Sequence, residues 1–144
     1  FANDTIAMTD LETGVETRLI EIPFELNTDI GLHVSGNCYE KPGWVLVSTY
    51  GAKNYRPGES QTWMDHLLFM LELKENPRII KLAGTSAYTA LYPDAVEKNY
   101  FAEAFAAVNT AGTRIVFGSN WGVLFPRDYS DAYEVRLPDN WEIQ

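Results

Sequence analysis

"GWVLVSTYG" (43–51) and "TRIVFGSNWG" (113–122) end in the same way. Ser48-Thr49-Tyr50-Gly51 in the first matches Ser119-Asn120-Trp121-Gly122 in the second, at an offset of 119 − 48 = 71 residues. Each run opens on a glycine turn, "KPGW" or "AGTR", and continues through Val, Ile, Leu and Phe. Short apolar runs rich in β-branched and aromatic residues, bounded by turn formers, read as strands. Self-similarity has to be settled before any local assignment, because it dictates the whole architecture.

Other strands recur too. "IAMTDL" (6–11), "LFMLEL" (68–73) and "AYEVRL" (132–137) are one strand written three times, and "RLIEI" (18–22) and "RIIKL" (78–82) another written twice. "GLHVSGNCY" (31–39) corresponds to "AFAAVN" (104–109), with His33 opposite Phe105. The order gives a half unit over 5–22, a complete four-stranded unit over 31–82 and a further unit over 104–143, in which "WEI" (141–143) is the expected fourth strand. Tandem four-stranded antiparallel units predict an all-β fold, a partial β-propeller of about two and a half blades. "PDAVEKNYFAEAFAAV" (93–108) has helical composition and spacing, so a short helix is expected near 94–101, giving way to the repeat from Ala104.

Residues 106–119, "AAVNTAGTRIVFGS", resemble the propeller repeat of TolB-like and WD40-like bacterial proteins, whose usual wording is close to "SxSPDGTxIxFxS". By wording the chain is similar to C-terminal blades of large bacterial propellers, a grouping that includes oligogalacturonate-lyase-like proteins. It departs from the pattern at Asn109 and Ala111 but keeps the turn glycine, Gly112. The resemblance implies a periplasmic or secreted protein. It also implies that channel-facing histidines from several blades collect a divalent metal, which makes His33 a candidate ligand and a divalent ion the candidate cofactor. One imidazole is not a metal site, and with Phe105 at the second repeat position a structural His33 is the plainer reading.

Composition narrows the functions. The chain has 144 residues, 46% hydrophobic, 13% aromatic and 22% charged, which suits one packed domain rather than a disordered segment. Twenty acidic against 11 basic side chains give a net charge of −9, a field that repels nucleic acid and anionic membrane surfaces. The single cysteine, Cys38, reads as a small core residue. No apolar run reaches the length of a membrane span. The first residue is Phe, so an upstream segment is expected to have been removed.

In the expected blades the connections alternate between short turns and long loops, and the long ones (51–65, 84–103 and 121–130) share one face. Long loops tend to carry function. The candidate ligand-binding residues there are Tyr50, Trp63, Trp121, Arg127 and Asp128, beside Tyr55, Arg56, Asp65, Tyr88, Tyr92 and Tyr129. Rings next to charged groups stack on sugars or anchor a protein partner, whereas the plainer reading packs Tyr50 and Trp121 between neighbouring units. Asp65 and His66 are expected to be an exposed pair at a loop-to-strand junction.

No nucleophile elbow, Walker loop, zinc-protease motif or cysteine pair is present, and Ser35 and Ser119 have no base beside them in sequence. Asp128 and Asp131 read as solvated loop charge. A non-catalytic binding or scaffold module for a glycan or protein is therefore expected, with a fragment of a metal-dependent polysaccharide lyase or hydrolase as the alternative. Two and a half blades do not close a ring. The partners expected are further copies of the chain or the missing blades of a longer one.

Overall fold

The computed structural model describes residues 4–26, 30–51, 62–89, 102–123 and 130–143. Among these residues nine strands form three antiparallel sheets, each with its strands in sequence order: β1 (Thr5–Thr9) and β2 (Glu16–Glu21); β3 (Ile30–Ser35), β4 (Trp44–Gly51), β5 (Leu67–Glu72) and β6 (Ile79–Gly84); β7 (Ala107–Val108), β8 (Arg114–Ser119) and β9 (Asp131–Arg136). Among the described residues there is no α-helix. The helix expected near 94–101 falls outside them.

The middle sheet is buried on both faces, and its sequence says why. Alternate residues of a strand point to opposite sides. Leu46, Leu68 and Met70 face the third sheet in one apolar cluster with Val108, Ile115 and Phe117. Val47, Phe69 and Leu71 face the first sheet in another, with Ile6, Leu19 and Ile22. "LFML" (68–71) is completely buried, the unbroken apolar run of a strand covered twice. Each such side chain contributes about 1.5–3 kcal/mol of transfer free energy. β8 is covered once, with Ile115 and Phe117 inward and Arg114 and Val116 outward.

Register places the connections in two classes. Short turns close β1–β2, β3–β4, β5–β6 and β7–β8, and the connections that leave the opposite ends of the strands are long after β4, β6 and β8. In the β7–β8 turn, Gly112 has a φ of +72°, the left-handed conformation that glycine adopts without strain. Asn109 caps that turn by accepting from the amides of Thr113 and Arg114, both at 2.9 Å, so the carboxylate of the usual repeat is dispensable.

"WEI" corrects the sequence reading. It is a 3-10 turn, not a fourth strand. Pro138 lacks an N–H to donate to a ladder, and the Trp141 amide instead donates back to the Pro138 carbonyl at 3.2 Å. The indole of Trp141 then reaches the core, 3% exposed and edge-on to Trp44 with ring centroids 5.0 Å apart. Around it Lys41 pairs with Glu142 and donates to the Asp139 carbonyl, and Arg78 donates to the Glu142 carbonyl while lying over Trp44. Burial of an indole outweighs the few ladder bonds that an edge strand would add.

Candidate functional site

Every buried polar side chain among the described residues sits near the long-connection end: Thr5, Ser48, Thr49, Asp65, His66, Thr85, Thr89, Ser119 and Asn120. The two repeated endings supply four of them. Ser48 accepts from the Ala106 amide at 3.3 Å and so ties β4 to the segment entering β7; Ser35 does the same for Val108. Thr49 accepts from the Leu67 amide at 2.8 Å and donates to the Met64 carbonyl, closing the base of the β4–β5 connection.

Residues 85–89 run between the two endings. On one side the Gly51 amide donates to Ala87 and the Thr89 amide to Gly51. On the other, the carboxamide of Asn120 takes the Tyr88 amide at 3.2 Å and donates to the Tyr88 carbonyl at 2.9 Å, as a neighbouring strand would. Ser119 donates to the Ser86 carbonyl at 2.9 Å. The recurrence of Ser with Thr or Asn thus has a structural cause: the polar pair holds the connections down, and the aromatic that follows is left near the surface.

Backbone strain is concentrated at this end. His66, Ser86, Phe105 and Trp121 have φ between +40° and +49°. Residues with a side chain are seldom left-handed, and the cost is borne where the surroundings over-determine the conformation. In the tight turns the same conformation falls to Gly14, Gly43, Asn76 and Gly112. Two of the strained residues are exposed rings, Phe105 at 47% and Trp121 at 54%.

The expected site residues separate into neighbourhoods. His33 and Tyr50 come together: the imidazole stacks on Tyr50 with centroids 5.5 Å apart and on Phe105 at 4.1 Å, and its Nε2 lies 2.7 Å from Glu103 Oε2. Tyr50 also covers Gly31, where any Cβ would collide with the phenol. Trp121 packs on Tyr133 at 5.2 Å, and Tyr133 on Phe117. Trp63 is elsewhere, edge-on to Phe69 and under the ammonium of Lys81 at 5.0 Å. Tyr55, Arg56, Tyr92, Arg127, Asp128 and Tyr129 lie outside the described residues.

Asp65 and His66 are not the exposed pair expected, since each is 7% exposed. Asp65 accepts from the Thr62 amide at 2.8 Å and from its hydroxyl at 3.1 Å. His66 packs against the Tyr88 ring at 4.3 Å. Burial holds its imidazole below the ordinary histidine range, against the opposing pull of Asp65 and the Ala87 backbone. Cys38 is a core thiol that donates to the Trp44 carbonyl at 3.0 Å, and burial pushes it up.

Among the described residues no group of three or more His, Cys, Asp or Glu could hold a metal ion, and the Nε2 of His33 is turned to a carboxylate. These residues do not fit the divalent ion that the resemblance implies. A shallow cavity of about 320 Å³ along β1 and β2 is lined by Thr5, Arg18, Leu19, Ile20 and Glu21 and contains none of the expected site residues.

Sequence reasoning missed Glu103, which lies 70 residues from His33 in a stretch of helical composition. A signal for Phe105 was present: residues at equivalent positions of successive units become neighbours when the units pack face to face, and Phe105 is the repeat counterpart of His33. No protein-family model matches the chain, and neither does any curated protein or solved structure.

Proposed function

We propose that the chain is an incomplete β-propeller that serves as a non-catalytic binding or scaffold module, presenting the rings and polar groups of its long-connection end to a glycan or protein partner. One observation carries this reading: backbone strain on side-chain-bearing residues gathers at that end, where it leaves Phe105 and Trp121 exposed, while the tight turns use glycine and asparagine. An exposed strained ring adds little to folding, so its benefit is sought in contact with a ligand. The propeller reading is supported by consecutive antiparallel sheets that share both faces of the middle one, with long connections at matching strand ends. Further copies of the chain, or further blades of a longer one, would cover the outer sheets.

The test screens the wild-type chain, Phe105→Ala and Trp121→Ala against a glycan array and a displayed peptide library. A ligand bound by wild type and lost by either variant, with the melting temperature unchanged, supports the reading. Equal binding by all three proteins, or divalent-metal-dependent cleavage of a polysaccharide, would overturn it, and cleavage would favour the lyase or hydrolase alternative.

A further inference from the structure

We propose that His33 is the polar anchor of a site for a neutral saccharide, its Nδ1 accepting a sugar hydroxyl while Glu103 holds the imidazole in that role. The inference rests on the binding reading above and assigns its ligand class. Glu103 is a carboxylate, which only accepts, so the 2.7 Å contact places the hydrogen of a neutral imidazole on Nε2. The remaining nitrogen, Nδ1, then carries an in-plane lone pair, and it makes no hydrogen bond with the described residues.

Phe105 at 4.1 Å and Tyr50 at 5.5 Å both stack on the imidazole. The side chain is nevertheless 29% exposed, and the lone pair of Nδ1 accepts only along the ring plane. The site is therefore directional, accepting one donor in the ring plane. Glu103 is held behind it, its side chain 11% exposed, in a chain of net charge −9. An anionic ligand meets repulsion from both. Phe105 keeps nearly half its surface exposed beside the acceptor and holds a strained backbone to do so. A hydroxyl donor next to an apolar C–H face is the pairing that a neutral sugar ring presents.

Calorimetric titration of the full chain with cellohexaose, maltohexaose, xylohexaose and mannohexaose, with hexagalacturonate as the anionic counterpart, tests this. His33→Phe keeps a ring in the stack and removes the acceptor. At least one neutral hexaose is expected to bind, and the variant to bind it about threefold to tenfold more weakly, the effect of one hydrogen bond. The wild-type protein gives a second readout that does not depend on the variant folding: in long-range 1H–15N spectra His33 should be the Nε2–H tautomer, and its Nδ1 resonance should move as the sugar saturates.

A free protein with Nδ1 protonated, binding of hexagalacturonate in place of the neutral sugars, or neutral-sugar binding that His33→Phe leaves unchanged would each overturn the assignment. Binding of a peptide and of no sugar would overturn it while sparing the module reading. Failure to bind any sugar or any member of the peptide library would remove both.

Discussion

Replacing Asn120 isolates the bond pattern that links the two repeated strand endings. The Tyr88 amide and carbonyl both turn to the Asn120 carboxamide, because the opposite side of the 87–89 segment is already taken by Gly51. Asn120 is 2% exposed and Tyr88 4%. Asn120→Ala strands one buried donor and one buried acceptor at about 1–3 kcal/mol each, and some water entry places the expected loss at about 2–4 kcal/mol. Asn120→Asp has the same shape and keeps the acceptor, but sets a carboxylate oxygen against the Tyr88 carbonyl and buries a charge. Desolvation and that repulsion raise the new carboxyl above its unfolded value. With the folded pKa raised, the deficit is largest at neutral pH and shrinks as the pH falls through the folded value, when the protonated acid donates to Tyr88 again. Urea unfolding followed by tryptophan fluorescence, each variant compared with wild type at pH 7 and pH 4.5, measures both effects. An alanine variant within about 0.5 kcal/mol of wild type, or an aspartate deficit that does not narrow at the lower pH, would refute the argument.

Trp141→Ala should cost about 3–5 kcal/mol, because it empties the space against Trp44 and releases the turn that Lys41 and Arg78 hold. Trp141→Phe should cost much less, since the buried indole N–H has no acceptor among the described residues and its removal loses no hydrogen bond there; urea midpoints of the two variants decide this. The pH dependence should fall in two stages. Burial lowers His66 in the folded chain, so stability is full above the unfolded value of 6.5 and declines as the pH drops below it. A second decline begins below 4.5, where unfolded glutamates protonate while Glu72 is held at about 2, first by its hydrogen bond to Arg78 and then by Lys74. His66→Phe should abolish the first stage and spare the second in melting temperatures measured from pH 8 to 3.

How far the site was legible follows from where its parts lie in the chain. His33 and Tyr50 were visible as a strand histidine and a strand-end aromatic, and register alone places them close, since His33 pairs with Ser48 and Gly31 with Tyr50. Glu103 was not visible. A carboxylate becomes the partner of a histidine only when two sheets pack, and the sequence around it reads as helical in propensity. Asp65 and His66 misled for a related reason, since two charged-type residues at a strand entrance read as solvent-facing until Thr62 and Tyr88 enclose them.

The sequence by itself determined the repeated strands, their antiparallel succession and the placing of the long connections. Periodicity and turn chemistry are local properties, and an apolar run as complete as "LFML" has few other solutions. Only the tertiary structure decided that "WEI" folds back as a turn rather than adding a strand, that Asn120 stands in for a strand beside Tyr88, and that His33 meets Glu103 while stacking on Tyr50 and Phe105. Each depends on which surfaces meet across sheets, and the free energy of such contacts belongs to pairs of residues far apart in the chain.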